Sequence, residues 1–84
     1  MTSDDLMARI CETMRARFPK CTVYDGGVMH CIDGRGWVAS VHVVGASGRK
    51  VTEHTAWSAV KGHAARNLAV ALCVSIAEES DATT

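Results

Sequence analysis

One eight-residue segment constrains the fold of this chain more than any other. Along a strand, successive side chains point to opposite faces of the sheet, and here one of the two faces is entirely apolar. The apolar face consists of Trp37, Ala39, Val41 and Val43, and the other of Val38, Ser40, His42 and Val44. We expect the first set to face the core and Ser40 and His42 to look outward, as in an antiparallel sheet covered on one side.

A first helix is predicted before this strand. Thr2 stands three residues before Asp5, which is the spacing of a capping box, and Pro19 ends the helix because it cannot donate a hydrogen bond. Between them, apolar residues recur at helical spacing. This stripe consists of Leu6, Met7, Ile10, Cys11, Met14 and Phe18.

A second helix is predicted over about residues 58–79. Its apolar stripe consists of Ala65, Leu68, Ala69, Leu72, Cys73 and Ile76. Val70 and Val74 lie off this stripe, which leaves two interpretations open: they are scattered exposed valines, or they form the interface of a homodimer. Residues 80–84 are expected to be a frayed tail.

Short strands are predicted between the helices. They cover residues 21–24, 28–32 and 37–44, with a hairpin turn at Asp25-Gly26-Gly27, and residues 49–52 are the candidate for a fourth. The predicted fold class is α+β in the order α-β-β-β-(β)-α, with an antiparallel three- or four-stranded sheet. Both helices are expected on one face of the sheet, and a helix on each face is the alternative. The chain is expected to be a single domain over residues 1–84, with its ordered core at about 3–79.

Composition narrows the classes of function. A chain of 84 residues has the size of one small domain, and its nine basic and nine acidic residues cancel, so no strongly charged partner is required. No uncharged apolar run reaches the roughly 18 residues of a membrane span. The acidic opening of the chain is unlike a secretory signal, so we expect a cytoplasmic protein that does not enter the membrane.

The sequence contains no recognisable catalytic or metal-binding pattern. The four cysteines, at positions 11, 21, 31 and 73, are expected to be reduced and to act as small apolar residues. No two are spaced like zinc ligands, although Cys21 could face His30 or Cys31 across the predicted hairpin, which leaves a metal site there open. The chain is also short for a catalytic constellation with its cleft. We predict no enzyme activity, no catalytic residues and no cofactor.

Cations are concentrated in the middle of the chain and at the end of the first helix. Between residues 35 and 66 only Glu53 opposes the basic side chains, so a neutral protein can have a basic end that meets nucleic acid or an acidic protein. Ordinary surface charge is the alternative. Trp57 either staples the last helix or anchors a partner. The predicted partner-binding residues are Arg15, Arg17, Lys20, Tyr24, His42, Arg49, Lys50, Trp57, Lys61 and Arg66.

The order of the predicted elements, together with the run Ala65-Arg66-Asn67-Leu68-Ala69, resembles the double-stranded-RNA-binding domain. In that family a similar Ala-Lys-Asn run lies in the last helix. Gly62, His63 and Ala64 stand where the family has basic residues. The resemblance implies that Arg66 contacts nucleic acid, with Lys61 and His63 as its neighbours.

A second resemblance covers roughly residues 36–79. The segments Gly36–Val41 and Thr52–Ala56, followed by the alanine- and leucine-rich closing helix, look like small phage and prophage α/β sandwich proteins. Some of those are anti-CRISPR proteins, which bind host defence complexes. The resemblance implies a non-catalytic binding protein that occludes a host protein complex, with a double-stranded nucleic-acid-binding module as the alternative.

Overall fold

A computed structural model describes residues 2–74 and contains five elements. In chain order they are α1 (Ser3–Arg17), β1 (Thr22–His30), β2 (Trp37–Val44), β3 (Lys50–Ser58) and α2 (Lys61–Ala71). The three strands form one antiparallel sheet in the order β1-β2-β3. Both helices pack on the same face, so the predicted α+β class and the predicted side of the helices are confirmed.

The capping box predicted for α1 is present. The Asp5 N–H donates to Thr2 Oγ1 and the Thr2 N–H donates to Asp5 Oδ2, each at 3.1 Å. The bond from the Thr2 N–H, and after it a hydrogen bond from the Thr2 side chain, lower the pKa of the Asp5 carboxyl, because both favour its charged form. The helix ends at Arg17 with Phe18 as its C-cap, directly before Pro19, as predicted.

The core lies between the helices and the covered face of the sheet. Ala39, Val41 and Val43 of β2 are 0% exposed, which confirms the face predicted from their alternation. The apolar stripes of α1 and α2 both pack against them on this one face of the sheet. The buried helix residues are Leu6, Met7, Ile10, Cys11, Met14, Ala64, Ala65, Leu68 and Ala69.

The prediction of a hairpin turn at Asp25-Gly26-Gly27 was wrong. The two segments predicted as separate strands on either side of it form one continuous strand, β1. Both halves of β1 pair with β2, and the register shifts between Asp25 and Gly27 as in a β-bulge. The Gly27 N–H donates to Asp25 Oδ1 at 2.7 Å, and Gly27 has a φ of 69°. These residue types therefore form a kink within a strand.

The C-terminal half of the sheet also differs from the prediction. The candidate strand at 49–52 is the beginning of β3, which continues to Ser58. Trp57 pairs with Val38 and Ser58 with Trp37, so both belong to the sheet and not to the start of a helix. The second helix begins at Lys61, three residues later than predicted.

The end of α2 explains which of its residues are buried. Cys73 has a φ of 56°, the Val74 N–H donates to the Ala69 carbonyl and the Cys73 N–H to the Val70 carbonyl. This is a Schellman motif, which reverses the chain and turns Val74 back onto the core. Val74 is therefore buried and Cys73 exposed, the opposite of their predicted positions. The prediction of one unbroken helix to about 79 was therefore wrong, since α2 ends at Ala71. The expected tail at 80–84 lies outside the described residues.

Candidate interaction surface

The sheet has one face that no helix covers. Side chains directly opposite one another in an antiparallel ladder lie on the same face, so the strand register identifies its members. We call this the uncovered face. It contains Tyr24, Met29, Val38, Ser40, His42, Val44, Glu53, Thr55 and Trp57.

Cations gather where α1 ends, where β1 begins and where β2 turns into β3. Thr22 pairs with Val44 and Val44 with Lys50, so the start of β1 lies beside the turn between β2 and β3 at one end of the sheet. The last turn of α1 leads directly into this start of β1. We call this the basic end. It contains Arg15, Arg17, Lys20, Arg49 and Lys50, all of them exposed.

A row of polar side chains borders the basic end on the uncovered face. Tyr24 lies opposite His42, and His42 lies opposite Glu53. Glu53 Oε1 accepts from Lys50 Nζ at 2.7 Å, and its Oε2 lies 3.4 Å from His42 Nδ1. The hydrogen bond and charge of Lys50, and then the nearby His42, lower the pKa of the Glu53 carboxyl. This carboxylate therefore offsets part of the positive charge next to it.

The other predicted binding residues lie away from the basic end. Lys61 starts α2 just after β3 finishes, which places it at the opposite end of the sheet. Arg66 lies in the middle of α2 and is half-buried. Trp57 belongs to the uncovered face but is seven residues along β3 from Lys50, about 23 Å at the rise of a strand.

The end opposite the basic end exposes large apolar side chains. Met29 is 64% exposed, Ile32 107%, Trp57 55% and Val60 53%. Met29 and Trp57 flank Val38 across the sheet. Ile32 follows Met29 by three residues, and Val60 follows Trp57 by three residues. We call these four residues the apolar end. Of the four, only Trp57 was predicted from the sequence, because recognising the others requires the bounds of β1 and β3.

Trp57 is held in place by its surroundings. A Cβ atom on Gly36 would lie 2.6 Å from Trp57 Nε1 and 2.7 Å from the Ser58 carbonyl oxygen, so only glycine allows this approach. Asn67 Nδ2 donates to the Trp57 carbonyl oxygen at 3.1 Å, which ties β3 to α2. The indole therefore lies against the turn between β1 and β2, while more than half of it faces solvent.

The cysteines and histidines do not converge. The hairpin expected to bring Cys21 to His30 and Cys31 is a continuous strand, so Cys21 lies about 30 Å from Cys31. The His30 ring instead packs on Trp37, with centroids 4.7 Å apart. Within residues 2–74, no three His, Cys, Asp or Glu side chains are placed to hold a metal ion. All four cysteines are free thiols, and burial raises the pKa of Cys11.

Two further findings bear on the class of protein. In the part of the chain that the structure describes, neither helix is long and apolar enough to cross a membrane. No protein-family model, no curated protein and no solved structure matches the chain. The functional argument therefore depends on the surface itself.

Proposed function

We propose that this chain is a non-catalytic binding protein whose basic end docks on an acidic surface of a protein partner. The observation that carries the proposal is the meeting of five cations from two separate stretches of chain, residues 15–20 and 49–50, at one end of the sheet. Clustered charge of one sign steers a partner of the opposite sign and selects it over others. The net charge of zero makes this segregation a local property of the surface.

The row beside the basic end favours protein as the partner. Tyrosine is enriched in protein interfaces because it offers a large apolar ring and a hydroxyl. Tyr24 is exposed directly opposite His42. The carboxylate of Glu53 lies in the same row and would repel a phosphate backbone, whereas a protein partner can match it with a donor.

We further propose that the protein acts by occlusion of a host complex, in the manner of phage anti-CRISPR inhibitors, in the host cytoplasm. The support for this step is the resemblance of residues 36–41 and 52–56 to small phage proteins. Homodimerisation through Val70 and Val74 is a separate expectation, which occlusion of a partner does not require. Val74 is buried by its own chain, so Val70 is the exposed member of the valine pair first considered for the dimer interface.

The test is a phage-plating assay on bacteria with an active CRISPR defence. Expression of the wild-type chain should restore plaque formation, and the variant Arg49→Glu/Lys50→Glu should not. Lys61→Glu is the matched control, because it reverses an exposed cation at the other end of the molecule. Unchanged immunity with the wild-type chain would reject the anti-defence role, and equal activity of both variants would reject the basic end.

Duplex nucleic acid is the second candidate, and the same five cations favour it. Phosphate contacts release counterions, so binding of this kind falls steeply as salt rises. A gel shift with duplex RNA and duplex DNA at increasing salt separates the two candidates. A shift at low salt that disappears at moderate salt supports nucleic acid, and the absence of any shift at low salt excludes it.

A further inference from the structure

We propose that the apolar end is the interface of a homodimer, in which a second copy of this chain docks through a two-fold axis. This assigns the surface for self-association to Met29, Ile32, Trp57 and Val60, on the opposite side of the molecule from the basic end. The proposal does not depend on the identity of any other partner, and it can stand if capture through the basic end fails.

The apolar end has the composition of an interface core. Monomeric proteins rarely expose large apolar patches, and four large exposed apolar side chains lie at this end of the sheet. Tryptophan dominates the hot spots of protein interfaces. The Trp57 indole already lies against Gly36, so docking would cost little further side-chain entropy.

The charges near this patch favour a second copy as its occupant. Asp33 and Arg35 lie exposed in the turn next to Ile32, and the Arg35 N–H donates to Asp33 Oδ1, which holds the turn in shape. In a two-fold interface each residue of one copy meets the complementary residue of the other. Asp33 of each copy can therefore pair with Arg35 of its mate, so the patch is complementary to itself.

The position of the basic end favours the same arrangement. Two copies joined at their apolar ends hold their basic ends apart by about two strand lengths, roughly 50 Å. This is several times the Debye length of about 8 Å at physiological salt, so the clustered cations do not oppose association. The exposed cations close to the interface are Arg35, which pairs with Asp33 of the other copy, and Lys61. A dimer of this shape also presents two basic ends, one at each pole.

The first test is sedimentation equilibrium of the purified chain. We expect a reversible monomer–dimer equilibrium, and we expect Ile32→Lys to raise the dimer dissociation constant at least tenfold, because the change occurs twice in a two-fold interface. Ile32 is fully exposed, so this variant should keep the circular dichroism spectrum and thermal melting of the wild type. Val70→Lys is the matched control on α2 and should leave the dissociation constant unchanged.

Three results would overturn the proposal. They are a wild-type chain that stays monomeric into the millimolar range, an association lost in Val70→Lys but kept in Ile32→Lys, and species that grow beyond the dimer as concentration rises. The last would indicate a head-to-tail contact, which does not close.

A charge swap tests the two-fold pairing directly. Asp33→Arg and Arg35→Asp should each weaken the dimer severalfold, and the double variant should recover most of the wild-type affinity. Loss of the Asp33 turn hydrogen bond cannot produce this recovery, since the double variant also lacks Asp33. A double variant as weak as the sum of the two single changes would reject the pairing. Sedimentation involves no partner, so failure of the dimer and failure of the proposed anti-defence role are measured separately.

Discussion

The two faces of the same sheet differ in what their side chains do. On β2, Ala39, Val41 and Val43 are fully buried under the helices, while their neighbours Val38, Ser40, His42 and Val44 are only half-buried. Adjacent residues of one strand thus belong to two different environments. The covered face supplies the packing that stabilises the fold, and the uncovered face can change without loss of that packing.

This difference separates stability from recognition in a very small protein. A domain of this size buries a modest share of its surface, so few residues can be spared from its core. The residues proposed for interaction lie at the two ends of the sheet, the clustered cations at one end and the large exposed apolar side chains of the apolar end at the other. Substitutions on the two faces should therefore affect different measurements.

The largest expected effect comes from opening a cavity under the covered face. Val41→Ala removes two buried methyl groups and should lower the free energy of unfolding by about 2–3 kcal/mol. Val38→Ala removes the same atoms from the uncovered face and should cost less than about 1 kcal/mol. Urea unfolding of both variants measures the contrast. Equal losses would show that the uncovered face is packed against something.

A similar effect is expected at the bulge of β1, where Gly26 lies close to the backbone of β2. A Cβ atom on Gly26 would touch Ser40 Oγ and lie 2.9 Å from the Ser40 carbonyl oxygen. Since that oxygen is backbone, Gly26→Ala should destabilise the protein by about 1–3 kcal/mol. Gly62→Ala is the control: its Cβ meets open space in α2 and should stabilise by about 0.5–1 kcal/mol. A neutral Gly26→Ala would contradict the bulge.

A smaller effect is expected where α2 is tied to the uncovered face. Asn67→Ala removes the hydrogen bond to the Trp57 carbonyl and should cost about 1 kcal/mol of unfolding free energy. It should also loosen the indole, which its fluorescence anisotropy reports in a Trp37→Phe background. Asn67→Asp, which retains the size but loses the donor, should behave in the same way. An unchanged anisotropy in both variants would show that Gly36 alone positions Trp57.

The boundaries of α1 and the covered face could be predicted because local signals determine them. Thr2, Asp5 and Pro19 act on their immediate neighbours, and the alternation of apolar and polar residues along β2 indicates which side chains are buried. The bulge at Asp25-Gly26-Gly27 could not be distinguished from a hairpin turn, because both use residues that accept a positive φ. Only pairing with β2 over the full length of β1 decides between them.

The candidate surface was predictable in part. Arg49 and Lys50 follow a turn, and their exposure could be expected from sequence. The separation of Lys61 from them could not, because it depends on β3 extending to Ser58. Val74 was assigned to the surface since a continuous helix would place it there, whereas the left-handed Cys73 turns it inward. One backbone conformation thus exchanges the environments of two neighbouring residues.

The smallest predicted effect concerns the ion pairs on the uncovered face. Lys50 and, after it, His42 lower the pKa of Glu53. A carboxyl with a lowered folded-state pKa stabilises the protein above its unfolded-state pKa of about 4.3, and this contribution is lost as pH falls through the folded-state value. The wild type should therefore be slightly more stable than Glu53→Gln at pH 7, and the difference should vanish as pH falls below 4.

Measuring the same substitution in a Lys50→Gln background isolates the cause. If Lys50 is the main partner of Glu53, removing it should flatten most of the pH dependence, and His42 should account for what remains. Urea midpoints at several pH values are sufficient, because the comparison uses differences between variants. Both residues are exposed, so the effect on stability is small. If the stability difference caused by Glu53→Gln still depends on pH without Lys50, then His42 is the main partner of Glu53 and Lys50 is available to bind a partner.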